Sequence, residues 1–325
     1  MFLECFNMNL RQIRYICEIT RSEFNISRAA KALRTNQPGI SKQVRQLEQE
    51  LGFAIFRRRR SRLSGVTTEG ETLVAMAENI MKEVDNIRAM SRDVRQDKSA
   101  TLLIAATHTQ ARYVLPQIMK RFATQHPNVT ITMRHADPGR IMDMVEAGMA
   151  DLGVTSEDPP PTRALLALPC RRFDKVVIVP KRHELTGKKR ITLKDLAQYP
   201  LVSYEPTFTA GHQVIEAFEK QSLHPHMVVV AIGADVIKTC VEEGLGIAII
   251  SEVTFDAKRD VNLRAIAAGH LFEPSTTKIL LSRDRYVRRY TYDFIELCEP
   301  KWTRSKVQES LMKSNGGEKD ANNIE

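Results

Sequence analysis

The segment ISRAAKALRTNQPGISKQVRQLEQELG, residues 26–52, constrains the fold of this chain more than any other stretch. Its apolar residues recur at helical spacing on both sides of a polar break, which predicts two short helices joined by a turn. Ser27 is in a suitable position to cap the first helix, and the small Ala29 and Ala30 would let the two helices cross closely. Pro38 suits the first turn of the second helix, where its missing N–H costs nothing. The pattern predicts a helix-turn-helix.

The second helix carries polar side chains opposite its apolar stripe. Ile40, Val44 and Leu47 are expected to face the core, and Gly52 is expected to end the helix. Polar groups near the N-terminal end are then left outside, where they can bond base edges and phosphates in a major groove. The predicted DNA contacts from this region are Thr35, Gln37, Pro38, Ser41, Lys42 and Arg45.

The stretch FRRRRSRLSGVT, residues 56–67, predicts a β-hairpin with a basic tip, as in the wing of a winged helix. Arg57, Arg58 and Arg62 are expected to contact phosphate, which supplies affinity without sequence information. Between residues 11 and 66 there are thirteen lysines and arginines against four acids, an excess of +9 that equals the net charge of the whole chain. This concentration predicts double-stranded DNA as partner, and the alternative is a solvated basic surface.

A long helix is predicted from the Thr67 cap to about Arg95. An apolar residue recurs every seven positions at Leu73, Ile80, Ile87 and Val94, and the interleaved positions are Ala77, Val84 and Ser91. A seam of this period pairs with a partner helix, so residues 67–96 are interpreted as a dimerisation linker. The alternative is a helix packed on its own domain.

Beyond about residue 100, apolar strand patterns such as VTITMRH alternate with helical patterns such as GRIMDMVEAGM. This alternation predicts parallel sheets covered by helices, arranged as two α/β subdomains with a cleft between them. We expect subdomain I to comprise about residues 100–170 and 272–305, and subdomain II about 171–271. Residues 306–325 are expected to form a partly disordered tail.

Polar side chains follow several of the predicted strands, where open α/β sheets bind ligands. These residues are Thr107, Thr109, Gln110, Ser156, Ser203, Thr207 and Thr209. Hydroxyl and backbone donors near helix termini suit a small anion or zwitterion. The alternative is that they are caps and turn residues.

Other classes of protein find little support in the sequence. The histidines show no metal-binding spacing, and the chain has neither a GxSxG elbow nor a P-loop, so we expect no enzyme, no metal and no cofactor. No apolar run approaches the length of a membrane span, and the first residues do not resemble a secretory signal, so a cytoplasmic protein is expected. The five scattered cysteines predict buried thiols, and a redox pair such as Cys170 with Cys240 is the alternative.

Residues 8 to about 305 resemble the LysR-type transcriptional regulators, and in particular their CysB/Cbl branch. The segment AAKALRTNQPGISKQVRQLEQELGFAIFRR carries the likeness to the family. The segments THTQARYVLP, DLAQYPLVSY, ADVIKTCVEEGLGIAII, STTKILLSR and YTYDFIELC carry the likeness to the branch.

The resemblance implies an α/β protein with an all-α, winged helix-turn-helix domain at residues 8–66, a linker helix at 67–96 and an effector-binding domain of two Rossmann-like subdomains at 97–305. It implies a homotetrameric activator of sulfur-assimilation genes, or a related regulator of sulfonate or sulfate-ester use. The implied effectors are of the acetylserine, sulfate, thiosulfate, sulfonate or adenosine phosphosulfate type, and a redox-switched LysR-type regulator is the alternative. The residues that match the effector cleft of the family are Thr107, Thr109, Gln110, Ser156 and Thr209, together with Phe173, which stands where the branch carries Trp.

Overall fold

The computed structural model describes residues 8–59, 62–95, 100–206 and 208–313. The chain divides into two compact units, residues 1–96 and 97–325. Thr207 and the end of the predicted tail, residues 314–325, lie outside the described residues.

The first unit is a small helical domain with a hairpin and a long terminal helix. Its elements are α1 (Leu10–Arg21), α2 (Ile26–Ala32), α3 (Gln37–Leu51), β1 (Phe56–Arg59), β2 (Arg62–Val66) and α4 (Thr68–Val94). Side chains from all four helices and from the hairpin form one core, in which Ile16, Ile40 and Leu47 are completely buried. Burial of this apolar stripe stabilises helices that would be too short to persist alone in water.

The helix ends follow the sequence signals with one exception. Asn36 caps α3 through a 2.7 Å bond from the Gly39 N–H to its side chain. Gly52 ends α3 in the left-handed conformation, at φ 78°. The expectation that Ser27 caps α2 is wrong: the cap is Asn25, two residues earlier, whose side-chain oxygen accepts from the Arg28 N–H. An Asn competes well with Ser for this position, so the helix begins at the earlier of the two.

Helix α4 has two apolar faces, one buried and one exposed. Val74 and Ala77 are buried in the core of the first unit, so Ala77 belongs to the intramolecular face and not to the predicted seam. Other apolar side chains of α4 are exposed on a different face of the helix. They are Met76, Ile80, Ile87, Met90 and Val94. Met76 and Met90 each follow a position of the seven-residue repeat by three residues. They therefore contribute to the exposed apolar face instead of the predicted Ala77 and Ser91.

The second unit alternates strands and helices along most of its length. Its first part contains β3 (Ala100–Ala106), a π-helical turn (Gln110–Val114), α5 (Leu115–Gln125), β4 (Val129–His135), α6 (Pro138–Glu146), β5 (Leu152–Thr155) and β6 (Leu165–Phe173). Its middle part contains β7 (Lys175–Pro180), a 3₁₀ turn (Glu184–Gly187), α7 (Leu193–Leu196), β8 (Leu201–Tyr204), α8 (Thr209–Glu219), β9 (Met227–Ala231), α9 (Ala234–Glu242), β10 (Ile247–Ser251), a 3₁₀ turn (Glu252–Thr254) and β11 (Leu263–Ala267). Its last part contains β12 (Ser275–Ser282), α10 (Arg289–Cys298) and α11 (Arg304–Met312).

These strands form two five-stranded sheets, one in each subdomain. The strand orders are β4-β3-β5-β12-β6 in subdomain I and β11-β7-β10-β8-β9 in subdomain II. The expectation of parallel sheets holds for β3 with its neighbours β4 and β5, and for β8 with β9 and β10. It is wrong for β6, β7, β11 and β12, whose pairs are antiparallel. The chain crosses between the sheets near residues 174 and 268–274, and the strands beside these crossings run in the opposite direction.

Three elements lie outside the predicted pattern. Strand β6 contains Pro169, which lacks an N–H, and it is tolerated because β6 is an edge strand. Strand β11 is an edge strand of the sheet in subdomain II. Helix α11 includes the first residues of the predicted tail, up to Met312, because Val307 is completely buried against the core of subdomain I. The fold class expected from the sequence, a winged helix followed by a long helix and two α/β subdomains, is confirmed.

Candidate functional site

The first candidate site is the exposed side of the helix-turn-helix. Of the residues predicted to contact DNA, Thr35, Gln37, Pro38, Lys42 and Arg45 are exposed and Ser41 is half-buried. The hydroxyl of Ser27 donates to Gln37 Oε1 at 3.0 Å, which ties the first turns of α2 and α3 together. Because Ile40 and Val44 are buried on the opposite side of α3, the cationic side chains of this helix are directed outward.

The hairpin β1–β2 supplies the second group of cations, and one of them is already paired. Arg57, Arg59 and Arg62 are exposed and form no ion pair with another described residue. Arg58 Nη2 instead contacts Glu48 Oε2 at 2.7 Å. The other oxygen of Glu48 accepts from the N–H groups of Ile55 and Phe56, so this carboxylate fixes the start of the hairpin against α3. Arg58 therefore has a structural partner that the sequence did not reveal.

The second candidate site is a cavity of about 290 Å³ between the two subdomains of the second unit. It lies at the carboxyl ends of β3, β5 and β8 and at the beginning of β7, where open α/β sheets bind ligands. Five of the six predicted effector residues line it, and these are Thr107, Thr109, Gln110, Ser156 and Phe173. The sixth, Thr209, contacts the cavity residue Glu157.

Gln110 organises the wall of the cavity that belongs to subdomain I. Its side chain is 3% exposed and uses both ends of its amide. Nε2 donates to Ser156 Oγ at 3.3 Å, and Oε1 accepts from Thr277 Oγ1 at 3.1 Å. Gln110 begins the π-helical turn, a geometry that occurs often at functional sites. The amide thus holds the Ser156 hydroxyl at the cavity surface.

Thr109 connects the two sides of the cavity. Its hydroxyl is hydrogen-bonded to the phenol of Tyr204, at the end of β8 in subdomain II. Tyr204 is buried, and this burial raises the pKa of its phenol, so that the ring stays neutral. Thr109 therefore links the cavity wall of subdomain I to Tyr204 of subdomain II.

Lys175 is the main feature of the cavity that was not predicted from the sequence. This first residue of β7 is only 2% exposed, and its Nζ donates to Ser275 Oγ at 2.7 Å. Burial lowers its pKa to about 8, although the nearby Glu157 carboxylate acts in the opposite direction. A buried ammonium group is costly unless an anion or several acceptors compensate it, so Lys175 marks a place suited to an anion.

Two further polar atoms of the cavity lining lack partners. Ser251 Oγ and His108 Nδ1 are buried and have no hydrogen-bond partner among the described residues. Buried polar atoms in native proteins are normally satisfied, so each indicates a place for a ligand or a water molecule. The other ring nitrogen of His108 lies 3.7 Å from Asp235, which Arg112 also contacts at 3.4 Å.

Glu157, at the end of β5, crosses the cleft. One carboxylate oxygen accepts from the Thr209 N–H at 3.0 Å, and the other accepts from the Thr209 hydroxyl. Burial raises the pKa of Glu157, whereas the bond from the Thr209 N–H and the charge of Lys278 lower it. Glu157 lies two residues after buried strand β5, and Lys175 begins β7; a charged residue next to an apolar strand was the available sequence signal.

The four cysteines in the described part of the chain give no support to the redox alternative, and Cys5 lies outside it. Cys170 packs on the core of subdomain I and Cys240 on a core of subdomain II. Burial raises the pKa of Cys170 to about 12 and that of Cys298 well above its ordinary value. A thiol that remains protonated at neutral pH is a poor nucleophile and a poor redox sensor.

In residues 8–59, 62–95, 100–206 and 208–313, no cluster of three or more His, Cys, Asp or Glu side chains could hold a metal ion. No helix in this part of the chain is both long and apolar enough to cross a membrane.

Comparison with known proteins places both units in one family. Residues 10–71 match the model of the bacterial regulatory helix-turn-helix protein, lysR family, and residues 95–303 match the LysR substrate binding domain. The transcriptional regulator CysB of Burkholderia cenocepacia is 40% identical over 94% of this chain and 97% of its own length. The regulator SsuR of the same organism is 37% identical over 92% of this chain and 97% of its own. The crystal structure of the cofactor-binding domain of the Cbl regulator superposes with a TM-score of 0.63 at 34% identity, covering 67% of this chain and 96% of that domain.

Proposed function

The chain belongs to the LysR family of transcriptional regulators, and from this premise we propose that it controls genes of sulfur assimilation, or of sulfonate or sulfate-ester use, in response to a small sulfur-containing effector. Family membership also confirms the expectation that the chain is not an enzyme. The likeness to CysB, SsuR and Cbl over nearly the whole chain supports the class of genes.

DNA recognition is assigned to α3 and to the hairpin β1–β2. Lys42 and Arg45 are the exposed cations of α3, and long cationic side chains at this position can reach guanine edges in the major groove. Arg57, Arg59 and Arg62 on the wing are free of acidic partners within the described residues and would neutralise phosphates. This division gives α3 the sequence-reading role and the wing the affinity role.

Lys175 is the observation that carries the effector proposal. A nearly buried ammonium group on the wall of a cavity of about 290 Å³ favours a ligand with at least one negative charge. Thr107, Ser156 and the unpartnered Ser251 hydroxyl would supply hydrogen bonds to its oxygens. Acetylserine, sulfate, thiosulfate, a sulfonate and adenosine phosphosulfate all meet this requirement.

We further propose that the protein works as a homotetramer in the cytoplasm. The exposed apolar stripe of α4 would pair two chains through their linker helices. A second apolar surface lies on the edge strand β9, where Val228 and Val230 are 38% and 51% exposed. Exposed edge strands with apolar side chains are suited to association, and two different interfaces are what a tetramer requires.

Thermal unfolding of the full-length protein in the presence of each candidate effector tests the effector proposal. An effector that binds only the folded form, present at a concentration of 100 times its Kd, raises the free energy of unfolding by about 2.7 kcal/mol. Lys175→Met is the matched control, because methionine retains most of the side-chain volume and removes the charge. If none of the five types of compound stabilised the wild-type protein, or if Lys175→Met responded equally well, the proposed effector class would be wrong.

A further inference from the structure

Glu157 holds the N-terminus of a helix that belongs to the opposite subdomain. Its carboxylate receives the N–H and the hydroxyl of Thr209, the first residue of α8. The backbone N–H of Glu157 itself donates to Thr155 Oγ1 at 3.2 Å, which directs the side chain across the cleft. Subdomain I thus reaches subdomain II through one carboxylate at a helix end.

The first turn of an α-helix is a favourable place for an anion. Its N–H groups are not used by the helix, and the helix dipole contributes partial positive charge. The Phe208 side chain at the cap position of α8 provides no hydrogen bond to the helix. The carboxylate of Glu157 therefore serves as the anion that α8 binds.

The charges around the cavity do not favour a second anion while Glu157 remains there. Lys175 is the nearly buried cation of the cavity wall, and Glu157 is the carboxylate that interacts with it. Lys278 also faces Glu157, but it is paired with Asp158. An anionic effector beside Lys175 would therefore lie close to a carboxylate, and like charges at short range in a partly desolvated site repel strongly.

We propose that Glu157 is a specificity-determining residue: it is an internal anion on helix α8 that the anionic group of the effector must displace. The inference rests on the proposed function, because it assumes that an anion binds beside Lys175. Effectors with more negative charge meet more opposition, so Glu157 selects by charge. Displacement also breaks a contact between the two subdomains, which couples effector binding to the geometry of the cleft.

Isothermal titration of the full-length protein with sulfate and with methanesulfonate tests this inference. The two probes share the sulfonyl oxygens and differ by one negative charge. Glu157→Gln preserves the shape of the side chain and removes its charge. We expect this variant to bind sulfate about tenfold more tightly than the wild type, and methanesulfonate with a smaller gain. A residue that only tied the subdomains together would not change the ratio of the two affinities.

Lys175→Met separates this inference from the proposed function. If this variant loses sulfate binding while Glu157→Gln binds sulfate no more tightly than the wild type, the anion site stands and the displacement of Glu157 is refuted. If neither sulfate nor methanesulfonate binds any of the proteins, the inference is refuted, and the proposed function then depends on the remaining effector types. If sulfate binds Lys175→Met unchanged, both proposals fail. Should Glu157→Gln not fold, Glu157→Asp is the second variant. It keeps the charge but is one methylene shorter, so its hold on Thr209 is weaker and sulfate should bind more tightly. Equal or weaker binding would refute the inference.

Discussion

Lys175 illustrates how one position links burial, charge and ligand chemistry. A lysine at the start of an apolar strand would normally extend its amine into solvent. Here the strand begins at the floor of a cleft, so the amine is enclosed and its hydrogen-bond partner is Ser275. The cost of enclosing the charge is reduced when an anion arrives, and this reduction contributes to the affinity for the anion.

The pH dependence of anion binding follows from this residue. The pKa of Lys175 is about 8, below the ordinary 10.5. Between pH 8 and pH 10.5 the Lys175 amine of the folded, ligand-free protein is therefore mostly neutral, whereas the same amine in an unfolded chain would be protonated. Sulfate requires the ammonium form, and its affinity should therefore be constant well below pH 8 and fall above it. Titration from pH 6.5 to 9.5 measures this fall. An affinity that did not change over that range would show that Lys175 is not the charge that sulfate meets.

Lys42 and Arg45 are expected to determine which DNA is bound. Replacement of either by alanine should weaken binding to an operator by about 1–3 kcal/mol if the lost contact is bidentate to a base, with a smaller effect on unrelated DNA. Fluorescence anisotropy with operator and random duplexes measures both. Lys306→Ala, an exposed helical lysine of the second unit, is the matched control and should change neither affinity. An equal loss on both duplexes would assign these residues to the phosphate backbone.

Of the arginines on the wing, Arg58 and Arg59 should differ in their contribution to DNA affinity. Arg59→Ala removes a cation that has no acidic partner among the described residues, and it should weaken binding to all DNA, reducing the slope of log K against log salt by about 1. Arg58 is held by Glu48 at 2.7 Å, so Arg58→Ala should change that slope less. Measurement of affinity at four or five salt concentrations compares the variants. A larger effect for Arg58 would mean that the ion pair opens on DNA.

Helix α4 has apolar side chains on two different faces. Val74 and Ala77 stabilise its own unit, whereas Ile80 and Ile87 protrude from it. Ile87→Glu should weaken association, because a charge in an apolar helical seam is poorly tolerated. Ala75→Glu, at an exposed position of the same helix away from this seam, is the control. Sedimentation velocity should show a smaller assembly for Ile87→Glu, and identical sedimentation of the two variants would contradict the pairing of linker helices.

Periodicity predicted most of the elements, because helices and strands with one buried face repeat their apolar residues at characteristic spacings. The bounds of β4 and β10 coincide with the apolar runs that predicted them. The failures have local causes. Strand β6 was not predicted because it contains Pro169, a residue that is unfavourable in strands. Helix α11 was not predicted because Val307 is its single buried side chain, which is too few for an apolar periodicity.

The candidate site was predictable only where residue type and strand position agreed. Thr107, Gln110 and Ser156 are polar, follow strands and line the cavity. Glu157 and Lys175 depend on which strand ends meet across the cleft, and this follows from the order of strands in two sheets. Each charge lies next to a strand in the sequence, but no local pattern contains that order, so the structure was needed to show that both face one cavity.

At the scale of the whole molecule, sensing and DNA binding belong to separate compact units of one chain. The second unit has a contact between Glu157 and Thr209 that joins its two subdomains at the cavity, and we propose that the effector breaks this contact. The DNA-binding unit has an apolar stripe on α4 that suits pairing with a second chain. A signal passed between such units in an oligomer would alter how paired winged helices engage DNA.

We therefore expect the effector to change DNA bending more than DNA affinity. Paired recognition helices bind half-sites about 34 Å apart, and a change in their mutual geometry alters the path of the duplex between them. Energy transfer between dyes at the two ends of a promoter fragment, with and without acetylserine or sulfate, measures the bend, and anisotropy on the same complex measures the affinity. Glu157→Gln provides an internal comparison, since it should reach the effector-bound bend at a lower sulfate concentration. Footprints of equal length and equal bending in both conditions would show that the cleft controls transcription by some route other than the shape of the DNA.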